Sequence, residues 1–126
     1  VMHAIPGYQG DLNAHGAECA FRNWEMPARK LAYAMLDDAL ARRVNIIKDM
    51  GCARIENFEK LRAIRDLGYR VYMFYVPCPV DVALTRIATR PRHTPKDMVI
   101  ERADALEKLL PLYKDLADGF TTIDSV

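Results

Sequence analysis

Segments with the helical spacing of apolar residues alternate along this chain with short runs of β-branched and aromatic residues. The β-type runs are residues 44–48, 69–76 and 120–123. Helices are predicted at residues 26–43, 54–67, 80–90 and 94–119. This alternation is typical of an α/β domain, in which parallel strands are joined by right-handed crossovers. The sequence therefore predicts an α/β fold with a parallel sheet.

Local signals set the predicted ends of these elements. Pro27 fits the first turn of the first helix, and Gly68 fits the position just after the second. Thr94 has the chemistry of a helix cap. Residues 1–24 are rich in Gly, Asn and His and are predicted to be irregular, with a turn at residues 5–8. Residues 44–48 are predicted to form a buried parallel strand.

Composition indicates one ordinary domain. Its 126 residues are 51% hydrophobic and 28% charged, and no repeat or linker divides them. Eighteen basic and seventeen acidic residues give a formal net charge of +1, so overall charge favours neither a nucleic-acid partner nor a membrane. The longest apolar run, residues 71–80, is about half of a membrane span and contains two prolines, which excludes a transmembrane helix.

The cysteines and histidines favour no metal or disulfide chemistry. The cysteines are Cys19, Cys52 and Cys78, and the histidines are His3, His15 and His93. No C-x-x-C spacing occurs, and a domain of this size does not require disulfides, so reduced thiols in a cytoplasmic protein are predicted. The histidines are too scattered to predict a metal site.

A local cluster of basic residues lies between Asp81 and Asp97, and no acidic residue interrupts it. Its members are Arg86, Arg90, Arg92, His93 and Lys96. Arg86 and Arg90 are four residues apart and are predicted to share a helix face, with Arg92 in the following loop. Guanidinium groups donate paired hydrogen bonds to phosphate, so the cluster is a candidate phosphate site. The alternative is a solvated helix face that only keeps the surface soluble.

In parallel sheets, ligands bind at the carboxyl ends of the strands. This rule indicates Asp49, residues 76–79 and the residues after Ile123. Nucleotide-binding α/β proteins commonly place a carboxylate that orients magnesium or binds substrate at a position such as that of Asp49. The position is equally compatible with a cap on the helix that begins near Arg54.

Four aromatic residues in the first third of the chain are candidates for a sugar or base pocket, although such spacing is more often that of a core. They are Tyr8, Phe21, Trp24 and Tyr33. Neither G-x-x-x-x-G-K-[ST] nor G-x-G-x-x-G occurs in the chain, so the sequence contains no recognisable phosphate-binding loop.

Several motifs in one order resemble a known family. They are Pro6-Gly7-Tyr8, Ile46-Ile47-Lys48-Asp49, Leu67-Gly68-Tyr69, the strand at residues 71–76 and Arg92-His93-Thr94-Pro95-Lys96-Asp97. Together they resemble the zeta-toxin family of P-loop kinases across essentially the whole chain. The resemblance implies a three-layer P-loop kinase-like fold over residues 1–126 that is incomplete at its N-terminus. In the family, the Walker loop and the general base precede the motif matched by Pro6-Gly7-Tyr8.

The resemblance also implies an activity. Members of the family use ATP and magnesium to phosphorylate the sugar of UDP-N-acetylglucosamine, and many are toxins neutralised by a small antitoxin. Arg90 and Arg92 match the lid arginines that contact the ATP phosphates, and Arg86 is the second candidate. Asp49 matches the acidic residue that faces the substrate, with Tyr8 as a further substrate-binding candidate.

The chain departs from the family pattern at two places. Met50-Gly51 stands where Gly-Thr usually follows the acidic residue, which removes a hydroxyl that would contact a nucleotide sugar. Tyr33, the third substrate-binding candidate, falls where the toxins carry a glutamate. Two other functions therefore remain open: a kinase for another nucleotide or a polynucleotide end, and a non-catalytic module that binds another protein.

The chain is also expected to be part of a longer domain. Parallel strands without neighbours expose a pairing edge and apolar surface that need cover. We therefore expect a further segment or a second chain to complete the sheet.

Overall fold

The computed structural model describes residues 1–90 and 94–124. Within these residues the helices are α1 (Pro6–His15), α2 (Ala17–Ala41), α3 (Ile55–Asp66), α4 (Val80–Ala88) and α5 (Lys96–Leu116), and the strands are β1 (Tyr72–Tyr75) and β2 (Gly119–Thr122). A short 3-10 helix, Met2–Ala4, precedes α1. The fold is α/β with a small parallel sheet, as the sequence predicts.

The chain divides into two compact units. The first comprises Val1–Lys48 and Arg86–Pro95, and the second comprises Asp49–Thr85 and Lys96–Val126. The first unit is built on α1 and α2, whereas the second contains the sheet with α3 and α5.

In the first unit, α1 and α2 pack through one very close approach. A Cβ atom built on Gly7 would overlap the indole ring of Trp24, so only glycine allows this contact. The indole Nε1–H of Trp24 donates to Oδ2 of Asp11 over 2.7 Å, and the Asn23 amide donates to the same oxygen over 3.1 Å. These hydrogen bonds, that from Asn23 above all, lower the pKa of Asp11.

The prediction that residues 1–24 are irregular, with a turn at residues 5–8, is wrong. These residues form the 3-10 helix, α1 and the first part of α2, and Pro27 lies inside α2 rather than in a first turn. Proline in a helix interior removes one backbone hydrogen bond, a local cost. Burial of Ala20 and Phe21 on the α2 face supplies tertiary packing that local composition does not reveal.

The predicted strand at residues 44–48 is also wrong. This segment forms neither helix nor strand, and among the described residues β1 and β2 pair only with each other. The Ile47 side chain is fully exposed, and Val44 is exposed as well. β-Branched residues favour extended backbone, but a strand forms only where a neighbouring strand supplies hydrogen-bond partners.

The later elements follow the sequence prediction more closely. β1 and β2 lie inside the predicted runs, in a parallel register that pairs Tyr72 with Gly119 and Tyr75 with Thr122. Gly68 follows the end of α3 with a φ of 92°, as expected for a helix-terminating glycine. α4 ends at Ala88, and α5 begins at Lys96 and ends at Leu116. These ends lie slightly inside the helices predicted at residues 80–90 and 94–119.

Asp118 holds the start of the sheet. Its backbone N–H donates to the Val71 carbonyl over 2.8 Å, and its carboxylate accepts the Val71 N–H, also over 2.8 Å. The Arg65 guanidinium, just before the end of α3, donates to the other carboxylate oxygen over 3.3 Å. These contacts, led by the Val71 N–H, lower the pKa of Asp118.

One side of β1 is uncovered in the second unit. Tyr72 and Phe74 are 60% and 70% exposed, whereas Met73 and Tyr75 are half-buried. On the covered side, the Tyr75 and Phe120 rings lie 6.2 Å apart. A strand of a parallel sheet is normally buried on both faces, so this exposed aromatic face is unusual.

Two further sequence predictions concern the whole described chain. Cys19, Cys52 and Cys78 are free cysteines, as predicted. In the part of the chain that the structure describes, no helix combines the length and apolar character needed to cross a membrane.

Replacement of Gly7 by alanine tests the close contact between α1 and α2. The new methyl group would overlap the Trp24 ring, so we expect Gly7→Ala to lower the free energy of unfolding by about 1–3 kcal/mol. Gly10 lies on the same helix with open space around it, so Gly10→Ala should instead raise stability by about 0.5–1 kcal/mol. Urea unfolding followed by circular dichroism measures both. Equal effects would contradict the proposed contact.

The lowered pKa of Asp118 predicts a pH-dependent contribution to stability. The ionised carboxylate stabilises the fold at pH values above its ordinary pKa of 3.8, and this stabilisation is lost as the pH falls through the lowered value. Asp118→Asn should therefore reduce stability at neutral pH and weaken the loss of stability on acidification. Urea unfolding at several pH values measures this change.

Asp115→Asn is the matched control for that experiment. Asp115 lies near the same end of α5, and no residue that the structure describes forms an ion pair with it. Because Asp115 lies at the negative end of α5, we expect this variant to keep or slightly raise the stability at neutral pH, in contrast to the loss expected for Asp118→Asn. If it matched Asp118→Asn instead, general charge reduction rather than the Val71 contact would explain the effect.

Candidate functional site

Asp49 lies on an exposed loop of the second unit. Residues 49–53 form neither helix nor strand and lead into α3. Arg54 is the N-cap residue of α3, and no side chain caps that helix end. The capping alternative for Asp49 is therefore wrong, and its exposed carboxylate faces solvent instead.

The same loop is attached to α5 at a buried point. Tyr113 is fully buried, and its hydroxyl donates to the Cys52 carbonyl over 2.9 Å. Cys52 has a φ of 53°, in the left-handed region that disfavours residues other than glycine. The Phe58 ring, 5.8 Å away, meets the Tyr113 ring edge-on. These contacts hold in place the end of the loop that carries Asp49.

The arginines of the basic cluster that the structure describes lie at the end of α4. Arg86 is in the last turn of α4, and Arg90 lies two residues beyond its end, with its backbone N–H donating to the Ile87 carbonyl over 3.1 Å. Both side chains are exposed. Because the helix ends at Ala88, the prediction that the two arginines share a helix face is wrong.

The electrostatic surroundings of the cluster suit an anion. No described residue forms an ion pair with the Arg90 guanidinium or with the Lys96 ammonium, and both side chains are exposed. Lys96 is the first residue of α5, where the helix dipole is positive. Arg92 and His93 lie outside the described residues.

Tyr8 is completely buried in the first unit. The His3 ring packs edge-on against it, with 5.0 Å between ring centroids. Among the described residues, none accepts or donates a hydrogen bond at the Tyr8 hydroxyl. Its surroundings are those of a core residue, so its role in substrate binding stays a prediction.

Tyr33 has a partner that the sequence did not indicate. The Lys48 ammonium lies 4.8 Å from the centre of the Tyr33 ring, within range of a cation–π interaction. Both side chains are half-buried. This contact attaches residues 44–48 to α2 without strand pairing. The only sequence signal was a lysine directly before Asp49.

The candidate residues are distributed over both units. Arg86, Arg90, Tyr8 and Tyr33 belong to the first unit, and Asp49 and Lys96 belong to the second. Their convergence on one site remains a prediction. Within the described ranges, His, Cys, Asp and Glu side chains form no group of three or more that could hold a metal ion.

Comparison with known proteins identifies the family of this chain. A family model described as Zeta toxin matches residues 2–124, nearly the entire chain. No curated protein and no solved structure matches. The family is one of kinase-like toxins, which agrees with the observed α/β fold. The chain therefore belongs to the zeta-toxin family.

Proposed function

We propose that this protein is an ATP-dependent phosphotransferase that phosphorylates a sugar hydroxyl of a nucleotide sugar such as UDP-N-acetylglucosamine. The observation that carries the proposal is the family match over residues 2–124. Kinase-like enzymes of this kind accelerate transfer mainly by positioning the reactants and neutralising phosphate charge. We assign charge neutralisation and positioning to different residues of this chain.

Charge neutralisation is assigned to the basic cluster. Arg90 is exposed and has no ion-pair partner among the residues the structure describes, so its guanidinium is available for the phosphates of ATP. Arg92 is proposed to act with it, and Arg86 extends the cluster into α4. A guanidinium stays charged at every physiological pH, which suits a group that stabilises the transferred phosphoryl.

Substrate binding is assigned to Asp49. The carboxylate is exposed and caps no helix, while the Tyr113–Cys52 hydrogen bond steadies the end of its loop. An ionised carboxylate accepts hydrogen bonds, so Asp49 would bind and orient a hydroxyl group of the acceptor.

The residues present fit ATP with magnesium. Magnesium in kinases is held largely by phosphate oxygens and water, with one or two carboxylates, so a cluster of several acidic residues is not required. The exposed Arg90 guanidinium can donate hydrogen bonds to the phosphate oxygens that would carry the metal. The bound metal would supply further neutralisation of the phosphate charge.

A second candidate function is a kinase for a different acceptor, such as another nucleotide or a polynucleotide end. The observation that favours it is the Lys48–Tyr33 contact. Tyr33 has no carboxylate to accept hydrogen bonds from sugar hydroxyls, and the Lys48 ammonium lies over its ring. The zeta toxins that this chain resembles carry a glutamate at this position. The acceptor assay below distinguishes these two kinases.

We further propose that the sheet is completed by another strand, from a longer form of this chain or from a second chain. The two-stranded sheet supports this proposal, because β1 and β2 each leave one main-chain edge without a partner strand among the described residues. The exposed Tyr72 and Phe74 side chains additionally need cover from a further layer on that face. A small antitoxin and a cytoplasmic location are also proposed, by analogy with the family.

Substitution of Arg90 and Arg92 tests the phosphate assignment. In the protein as it occurs naturally, we expect Arg90→Ala and Arg92→Ala each to weaken ATP binding by about tenfold or more, because charge-assisted hydrogen bonds to phosphate are lost. Phosphate transfer from labelled ATP is measured with UDP-N-acetylglucosamine, nucleotides and polynucleotide ends as acceptors. Stability should change little, since Arg90 is exposed.

Arg42→Ala is the matched control. Arg42 is an exposed arginine at the end of α2 that pairs with Asp38 over 2.7 Å, so its loss removes the same charge from another surface. Its binding and turnover should equal those of the wild type. Unchanged ATP binding and turnover in the Arg90 and Arg92 variants would refute the assignment. Transfer only to polynucleotide ends would refute the nucleotide-sugar acceptor.

Substitution of Asp49 tests the acceptor assignment separately. Asp49→Asn keeps the size of the side chain but removes its charge, so we expect kcat/KM for the acceptor to fall about ten- to a hundredfold with little change in ATP binding. Asp104→Asn, an exposed acidic residue on α5, is the control. If both variants kept full activity, Asp49 would have no role in acceptor binding.

A further inference from the structure

A groove of about 500 Å³ lies between α3 and α5 in the second unit, and none of its lining residues is assigned to phosphate transfer. Phe58, Leu112 and Leu116 supply its apolar lining. Leu116 is buried, Phe58 is half-buried and Leu112 is 41% exposed. An exposed leucine at the edge of a groove is a typical anchor point for another apolar side chain.

The two helices that form the groove run in the same direction. Phe58, near the start of α3, contacts Tyr113 in the last turn of α5, and Arg65, near the end of α3, reaches Asp118, two residues beyond the α5 end. The lining residues of α3, from Phe58 to Asp66, extend over roughly 12 Å at the helical rise of about 1.5 Å per residue. The α3 wall of the groove is therefore about two helical turns long, and the α5 wall, from Leu112 to Leu116, is about one turn long.

Two arginines at the rim already have acidic partners. Arg62 pairs with Glu59 over 2.5 Å, and Arg65 pairs with Asp118 over 3.3 Å. Their positive charges are thus largely compensated within the second unit. They leave little attraction for an acidic ligand.

Two aspartates at the rim have no such compensation. Asp66 is the last residue of α3, and Asp115 is the second last residue of α5. Among the residues that the structure describes, neither forms an ion pair or a hydrogen bond. Each also lies at the negative end of its helix dipole, and the two dipoles are aligned because the helices are parallel. A positively charged ligand would relieve this repulsion.

We propose that this groove is a docking site for a basic amphipathic helix of a partner protein. Such a helix would place an apolar side chain against Phe58, Leu112 and Leu116, and lysine or arginine side chains beside Asp66 and Asp115. The apolar side chains at positions i and i+4 of the partner helix would lie one helical turn apart, as Leu112 and Leu116 do on α5. This function is separate from phosphate transfer and does not depend on it.

The test is a selection of peptides from a displayed library of random helical sequences, with the whole 126-residue chain as the target. We expect enriched peptides to carry apolar residues at i and i+4 flanked by lysine or arginine. The best peptide should bind the Leu112→Asp variant at least about tenfold more weakly than the wild type, since the lost apolar anchor outweighs the weak attraction of one exposed carboxylate for a basic peptide. The Leu31→Asp variant alters a similarly exposed leucine on α2, and it should bind the peptide as tightly as the wild type does.

A double variant, Asp66→Asn with Asp115→Asn, tests the charge argument without disturbing the apolar lining. It should bind the same peptide about threefold or more weakly at low salt, and the difference should shrink as salt is added. Both aspartates are exposed, so this variant remains informative even if Leu112→Asp is poorly folded.

Three results would overturn the proposal. The first is enrichment of acidic or wholly apolar peptides, and the second is equal binding to the wild type and to both groove variants. The third is a dimer in sedimentation velocity that Leu112→Asp dissociates but Leu31→Asp does not, because a second copy of the chain would then occupy the groove.

Discussion

The pairing of β1 with β2 in the second unit depends on Asp118, the residue directly before β2. The Asp118 main chain donates to Val71, and the Asp118 side chain accepts a hydrogen bond from the same residue. Two parallel strands have no hairpin turn between them, so other contacts must set which residues lie side by side. Because Arg65 reaches the same carboxylate, the end of α3 is placed relative to both strands.

Sequence reasoning succeeded where the signal is local. The limits of α3, the glycine that follows it and the two observed strands all depend on a few neighbouring residues. It failed at α1, which has Gly7 in its first turn and Gly10 in its interior and packs against Trp24. It failed again at residues 44–48, since pairing with a neighbour is not encoded in the segment itself.

In the candidate site too, local features were predictable from the sequence and tertiary contacts were not. The exposure of Asp49 and Arg90 was predictable from residue type, because charged side chains are rarely buried, but their predicted places, at the end of a strand and on a helix face, were wrong. The contacts that surround the candidates were not: Lys48 lies over Tyr33, fifteen residues away, and Tyr113 bonds to Cys52 across 61 residues of sequence. Such pairs depend on tertiary folding and leave no spacing pattern to detect.

The environment of Trp24 has an experimental consequence. It is the only tryptophan of the chain, and it lies in the first unit with its indole nitrogen bound to Asp11. Its emission is therefore an intrinsic optical reporter of the contact between α1 and α2. Since the second unit contains no tryptophan, separate unfolding of the two units would appear as a difference between tryptophan emission and total helical content.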